Sequence, residues 1–89
     1  MTEVRQVLTL YSRSYCHLCE DMLLALQTAF GQQYVLDIRV LDIDLAAHAT
    51  LLADYDELVP VLIGLRKGVE TRLCHYFLDH DRVAAWLAA

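Results

Sequence analysis

The sequence has few of the residues that interrupt or cross-link a chain: one proline, three glycines and three cysteines among 89 residues. An odd number of cysteines at this low density does not fit the disulfide framework of a small secreted domain. No repeat, charge block or Ser- or Pro-rich linker divides the sequence. We therefore predict that residues 1–89 form one domain and that any cysteine chemistry is catalytic, redox-sensing or metal-related.

Long apolar runs are also missing. The longest stretch without a charged residue covers 15 residues, 22–36, and contains three glutamines. A helix that spans a bilayer needs about 20 predominantly apolar residues. Glu3 and Arg5 precede any apolar run, so the N-terminus does not resemble a secretory signal. The sequence predicts no membrane association and a cytoplasmic location.

Positive charge is scarce as well. Seven Lys and Arg stand against twelve Asp and Glu, which gives a formal net charge of -5. Without a basic cluster to neutralise phosphates, nucleic acid is excluded as a partner. The apolar share of 57% and the mean hydropathy of +0.36 exclude a disordered chain. We expect an acidic, folded monomer.

The hydrophobic pattern predicts four strands and three helices. Apolar residues at spacings of three and four predict a first helix that begins near Cys16 and stops at Gly31. Asp44 and Asp79 are suitable N-caps for a second and a third helix. Short apolar or alternating runs predict strands over residues 4–11, 35–41, 61–63 and 70–76.

The order of these elements is βαβ followed by ββα. A βαβ crossover requires parallel strands, whereas the turn at residues 65–69 predicts an antiparallel hairpin. The first and third strands are apolar on both faces and are expected at the centre, with the second and fourth at the edges. The predicted fold class is α/β, with a mixed four-stranded sheet covered by three helices.

The motif that carries chemistry is Cys16-His17-Leu18-Cys19, at the junction of the first strand and the first helix. Residues three apart lie on one face of a helix, so the two sulfurs can reach disulfide distance. The free N–H groups and positive dipole at a helix N-terminus favour a thiolate at Cys16. We predict that Cys16 is the attacking thiol and that Cys19, on the apolar stripe, is the resolving thiol.

Other residues near the pair modify this expectation. Arg13 and a protonated His17 would favour the Cys16 thiolate, while Glu20 on the same helix face opposes it. We expect a Cys16 pKa below the free value of about 8.5. Tyr15 is placed to flank an approaching disulfide.

Together with Val59-Pro60 before the apolar third strand, this motif resembles the glutaredoxin branch of the thioredoxin-like superfamily, along the whole chain. The resemblance implies a cis Val59-Pro60 bond beside Cys16, with the Val59 backbone available to an extended substrate. It also implies reduction of protein disulfides or glutathione mixed disulfides, with no bound cofactor and with glutathione as a candidate reductant.

The sequence departs from the usual glutaredoxin pattern at two places. His17 and Leu18 stand where proline and tyrosine are common, and Phe77-Leu78-Asp79 replaces a glycine pair before the last helix. The resemblance implies that Asp79, helped by Asp81, meets the amino group of glutathione. The chain is therefore interpreted as a divergent glutaredoxin-like protein.

Three alternatives stay open at this point. Cys16 and Cys19 could be two packing residues of a helix, or they could supply half of a zinc site. A second ligand pair at the usual spacing is missing from the sequence, so we predict no metal. The domain could also be a thioredoxin-like binding module that presents Val59-Pro60 with little turnover. Cys74 is interpreted as a packing residue of the last strand.

Overall fold

The structure is a computed structural model, which describes residues 5–45, 54–55 and 57–89. Four strands and two helices are present in these ranges. The strands are β1 (Arg5–Ser12), β2 (Val35–Asp42), β3 (Val61–Arg66) and β4 (Val69–His75). The helices are α1 (His17–Phe30) and α2 (His80–Ala88).

The four strands form one mixed sheet in the order β2-β1-β3-β4. β1 and β2 are parallel, with Leu8 opposite Ile38, whereas β3 is antiparallel to both β1 and β4. The predicted placement of the two-faced apolar strands at the centre is confirmed. The register sets Tyr11 opposite Val61, so the end of β1 and the start of β3 lie together at one end of the sheet.

The core lies on both faces of the sheet. On one face α1 and α2 pack over the central strands, and Leu10, Leu26, Leu62 and Val83 are almost completely buried there. The other face carries a smaller cluster of Tyr11, Ile43, Val61 and Ile63, joined by Tyr55. Because successive side chains of a strand point to opposite faces, the two-sided apolar pattern of β1 and β3 requires both clusters.

The first helix follows the predicted pattern. Its buried positions are Cys19, Met22, Leu26 and Phe30, which form a stripe with spacings of three and four. Gly31 is the C-cap, and its N–H donates to the Gln27 carbonyl. The stripe packs against the sheet and thereby fixes the direction in which the N-terminus of α1 presents its first turn.

Two of the three predicted helices lie within the described residues. The sequence places the middle helix after Asp44, and most of it falls on residues 46–53 and 56, outside the described residues. The part of the chain that the structure describes therefore contains two helices and not the three that the sequence predicts. Within that part no helix is long and apolar enough to cross a membrane.

Candidate active site

Cys16 and Cys19 occupy the N-terminus of α1, as the sequence predicts. Cys16 is the N-cap, with an extended backbone, and its Sγ accepts a hydrogen bond of 3.1 Å from the Cys19 N–H. The Cys16 carbonyl accepts from the Glu20 N–H at 3.3 Å. The Cys16 Sγ thus satisfies one of the N–H groups that a helix N-terminus leaves without partners inside the helix, and the Cys16 carbonyl accepts the first i→i−4 bond of the helix.

The two sulfurs form a disulfide across one helical turn, with Cα atoms 5.2 Å apart. Their exposure differs: Cys16 is half-buried, whereas Cys19 keeps only 4% of its surface accessible. A reagent in solution can therefore approach Cys16 and is kept from Cys19 by the core. The exposure of the two sulfurs thus differs in the predicted direction, and their attacking and resolving roles stay a prediction.

A cleft of about 260 Å³ opens beside the disulfide. Cys16, Cys19 and Glu20 form its helical wall, and the loop after β1 forms another. In that loop the Arg13 guanidinium meets the Asp44 carboxylate at 3.2 Å, and the Ser14 hydroxyl donates to Asp42 at 3.3 Å. Asp42 is the last residue of β2, and Asp44 follows it. Because β1 and β2 are parallel, both carboxylates lie at the same end of the sheet as the cysteines.

Pro60 lies at the same end of the sheet. The Val59–Pro60 peptide bond is cis, the geometry that the resemblance implies. Pro60 is fully buried and immediately precedes Val61, which pairs with Tyr11, four residues before Tyr15. The Tyr76 N–H donates to the Pro60 carbonyl at 2.9 Å, and the Tyr76 hydroxyl donates to the Glu57 carbonyl.

Two tyrosines at this end have a left-handed backbone. The φ angles are 59° for Tyr15 and 63° for Tyr76. Bulky residues rarely adopt such angles, which are concentrated at functional sites and tight turns. Tyr15 is completely exposed, so the burial of its ring does not stabilise this conformation. The strained backbone instead turns the chain from β1 into the N-cap of α1.

The remaining predicted site residues lie farther apart. His17 is the first residue of α1 and is exposed. Asp79 caps α2 by accepting from the Arg82 N–H at 3.1 Å, and it lines a second cleft of about 600 Å³. No lining residue described for that cleft belongs to the cleft of Cys16. A substrate contact by Asp79 stays a prediction.

Cys74 is a free, buried thiol on β4, in the larger core cluster. Burial raises the pKa of this thiol; the Asp79 carboxylate adds to the rise, and a backbone hydrogen bond at Asp79 and the Arg82 charge reduce it. Burial and a raised pKa both suppress the thiolate, which is the reactive form. The packing role predicted for Cys74 agrees with this environment.

Sequence reasoning missed the acidic side of the site. The sequence predicts Asp44 only as a helix cap, yet the carboxylates of Asp42 and Asp44 meet Ser14 and Arg13 of the cysteine loop. The available signal was the parallel pairing of the first two strands, which brings their C-terminal ends together. Within the described residues, no three His, Cys, Asp or Glu side chains are grouped closely enough to hold a metal ion.

Comparisons with known structures give the same fold. The chain resembles structural-genomics target protein XcR50 from X. campestris, with 36% identity and a TM-score of 0.63. The match covers 92% of this chain and 97% of XcR50. Thioredoxin O2 from Arabidopsis thaliana, solved in its oxidized state, is 16% identical with a TM-score of 0.56, over 93% of this chain and 72% of that one. A malarial protein is 18% identical, with a TM-score of 0.55 and 96% of both chains covered.

The fold is therefore thioredoxin-like, with a Cys-x-x-Cys pair at disulfide distance. No curated protein matches the chain at a significant level. The family model described as Glutaredoxin-like domain (DUF836) matches residues 7–88, which include the cysteine pair, Pro60 and both described helices. The chain belongs to this glutaredoxin-like family.

Proposed function

We propose that the chain is a thiol-disulfide oxidoreductase that reduces protein disulfides or glutathione mixed disulfides through Cys16 and Cys19. One observation carries the proposal: a disulfide joins an accessible N-cap sulfur to a buried sulfur one helical turn later. A packing pair would not require one sulfur to stand at a cleft in contact with solvent.

The chemistry follows from the two environments. In the reduced protein the Cys16 thiolate attacks one sulfur of the substrate disulfide, and the other substrate sulfur leaves as a thiolate. Cys19 then loses its proton and attacks Cys16 Sγ, which closes the intramolecular disulfide and releases the second substrate sulfur. Two electrons pass from the cysteine pair to the substrate, whose two sulfurs take up the protons.

The N-terminus of α1 supports the first step. The Cys19 N–H lies 3.1 Å from Cys16 Sγ in the disulfide form, and the same N–H can stabilise a thiolate at Cys16. A protonated His17 would add positive charge, as would Arg13 to the extent that its ion pair with Asp44 allows. Exchange with a thiol reductant, either glutathione or the dithiol of a reductase, would return the pair to its reduced form without a bound cofactor.

The other proposed contacts lie around the pair. Val59 and Pro60 would receive an extended substrate segment along the start of β3, in the manner of an added strand. Tyr15 would flank the substrate disulfide, because its exposed ring directly precedes Cys16. Asp79 remains a proposed contact for a substrate amino group.

The test uses variants of each cysteine. With a disulfide-containing model substrate, Cys16→Ser is expected to abolish reduction, while Cys19→Ser should accumulate a covalent mixed disulfide visible by mass spectrometry. Cys74→Ala is the matched control and should retain turnover, since Cys74 is buried away from the cleft. Turnover by Cys16→Ser would overturn the proposal, and stable substrate binding without turnover in the natural protein would indicate a binding module.

A further inference from the structure

The end of the sheet that carries the cysteines is acidic. We call the cysteine end the region where β1 and β2 terminate and β3 begins. Glu20 lines the cleft beside the disulfide, and Asp42 and Asp44 contact the loop between β1 and α1. Glu57 adds an exposed carboxylate near Pro60, because the carbonyls of Glu57 and Pro60 both accept hydrogen bonds from Tyr76.

Positive charge is sparse at the cysteine end. Of the seven basic residues, all of which are described, Arg13 belongs to the cysteine end, and its guanidinium is engaged by Asp44. Arg5 begins β1, and Arg66 and Lys67 lie at the hairpin, both at the opposite end of the sheet. Arg39 and Arg72 lie in the middle of β2 and β4, whereas Arg82 is in the first turn of α2, close to the end of β4, where its guanidinium donates to the Arg72 carbonyl at 3.1 Å.

Apolar rings are exposed at the same end. Tyr15 is fully exposed, and Phe77, the second residue after β4, keeps 69% of its surface accessible. Leu18 in the first turn of α1 and Tyr76 beside Pro60 are also exposed. Exposed apolar side chains at the end of the sheet that carries a reactive disulfide suit contact with a polypeptide, whose side chains offer apolar area on either side of its cysteine.

We propose that the preferred substrate is a polypeptide disulfide flanked by Lys or Arg, in preference to a glutathione mixed disulfide. This inference rests on the proposed oxidoreductase function. Glutathione carries two carboxylates and one ammonium group, so its net charge is negative. Its two carboxylates would approach Glu20 in the cleft and Asp42 beside the cysteine loop, while the charges of Arg13 and Asp44 offset each other in their ion pair.

The selectivity acts on the bond-forming step described above. The same S–S bond forms between Cys16 and the substrate, and the same two electrons are transferred; the flanking charge changes only how readily the substrate reaches the sulfur. Each exposed pair of charges near contact changes a rate by about twofold to fivefold in water. The Glu20 carboxylate in the cleft and the Asp42 carboxylate beside the loop that forms its other wall can thus discriminate by about tenfold at low ionic strength.

The first experiment varies the substrate and leaves the protein unchanged. Two peptides with one disulfide and the same sequence carry either Lys or Glu beside the cysteines, and a third substrate is a neutral peptide in mixed disulfide with glutathione. Each rate constant for reduction by the reduced protein is divided by the rate constant with dithiothreitol, which corrects for the intrinsic reactivity of the disulfide. The Lys peptide is expected to react about tenfold faster than the other two at low salt, and added salt should shrink the ratio.

The second experiment varies the protein. Glu20→Gln and Asp44→Asn each remove one carboxylate at the cysteine end and should reduce the Lys-to-Glu rate ratio by about twofold or more. Glu70→Gln is the matched control, because Glu70 is exposed on β4 opposite Leu65, toward the far end of the sheet. Its ratio should equal that of the natural protein.

The outcomes separate the two proposals. Equal corrected rates for the three substrates, or faster reduction of the glutathione mixed disulfide, would overturn the charge preference and leave the oxidoreductase function standing. An equal drop of the ratio in Glu70→Gln would also overturn it, because net charge alone would then explain the preference. Failure to reduce any of the three substrates would instead overturn the proposed function itself.

Discussion

Gly64 on β3 lies so close to the indole of Trp86 on α2 that a β-carbon at Gly64 would stand 2.5 Å from Cε2 of the ring. Cζ2 would be 2.6 Å away. The ring cannot easily retreat, because the Arg66 guanidinium stacks on it at 4.0 Å and donates to the Trp86 carbonyl at 2.9 Å. The missing side chain at Gly64 is therefore what allows α2 to pack on the sheet.

We accordingly predict that Gly64→Ala destabilises the protein. The added methyl group forces Trp86 or α2 to shift, which costs about 1–3 kcal/mol of the free energy of unfolding. Urea denaturation of the oxidised protein measures the change. In a Trp86→Ala background the same substitution should cost much less; an equal cost in both backgrounds would show that the ring contact is not the cause.

The sequence predicted the sheet well because its information is local. β1 and β3 are apolar on both faces, so their central positions follow from burial alone, and the turn at Lys67 and Gly68 identifies the hairpin. The contact of Gly64 with Trp86 joins residues from separate elements. No periodic pattern encodes such a pair, since it depends on where α2 crosses the sheet.

The candidate site was predictable to a similar extent. A Cys-x-x-Cys motif at a strand-to-helix junction places both sulfurs on the first turn, because helix geometry leaves little choice. The ion pair of Arg13 with Asp44 spans two loops and could be found only once the parallel register of β1 and β2 was known. The strained backbone at Tyr15 and Tyr76 carries no glycine signal in the sequence.

The unequal burial of the three cysteines predicts their order of reaction. After reduction of the disulfide, Cys16 should be alkylated first by iodoacetamide, because it is the one half-exposed thiol among the three. Cys19 and Cys74 should react at least about tenfold more slowly under native conditions, since burial limits both access and the thiolate fraction. Peptide mapping by mass spectrometry during a time course measures each rate.

Denaturant supplies the control for this experiment. In the unfolded chain the three cysteines should react at similar rates, because burial no longer separates them. Faster native labelling of Cys19 than of Cys16 would contradict the assignment of Cys16 as the attacking thiol.

The buried thiol of Cys74 predicts a loss of stability at alkaline pH. Burial raises the pKa of Cys74 above the ordinary value of a thiol, so between that value and the raised one the folded protein keeps a proton that the unfolded chain has lost. The unfolded state then binds fewer protons, and the free energy of unfolding falls as the pH rises through this interval. Below about pH 9 this contribution to stability is fully present.

Cys74→Ala tests the assignment. The variant should show a shallower decline of stability above about pH 9, measured by urea denaturation of the disulfide form so that Cys16 and Cys19 do not titrate. Part of the decline should remain, because Tyr11 also has a raised pKa and contributes in the same direction. Its pKa is raised from 10.0 first by burial and then by the charges of Glu70 and Tyr55. An unchanged slope in Cys74→Ala would assign the alkaline loss to other groups.

The cap of α2 allows the two roles of Asp79 to be separated. Its carboxylate accepts from the Arg82 N–H at 3.1 Å, so Asp79→Ala should lower the free energy of unfolding by about 1 kcal/mol. Asp79→Asn should preserve stability, because asparagine caps equally well while losing the charge. Equal losses in both variants would contradict the capping role. Kinetics of the stable Asn variant then isolate the charge: a raised KM for substrates with an amino group near the disulfide, with kcat unchanged, is expected if the carboxylate also contacts substrate.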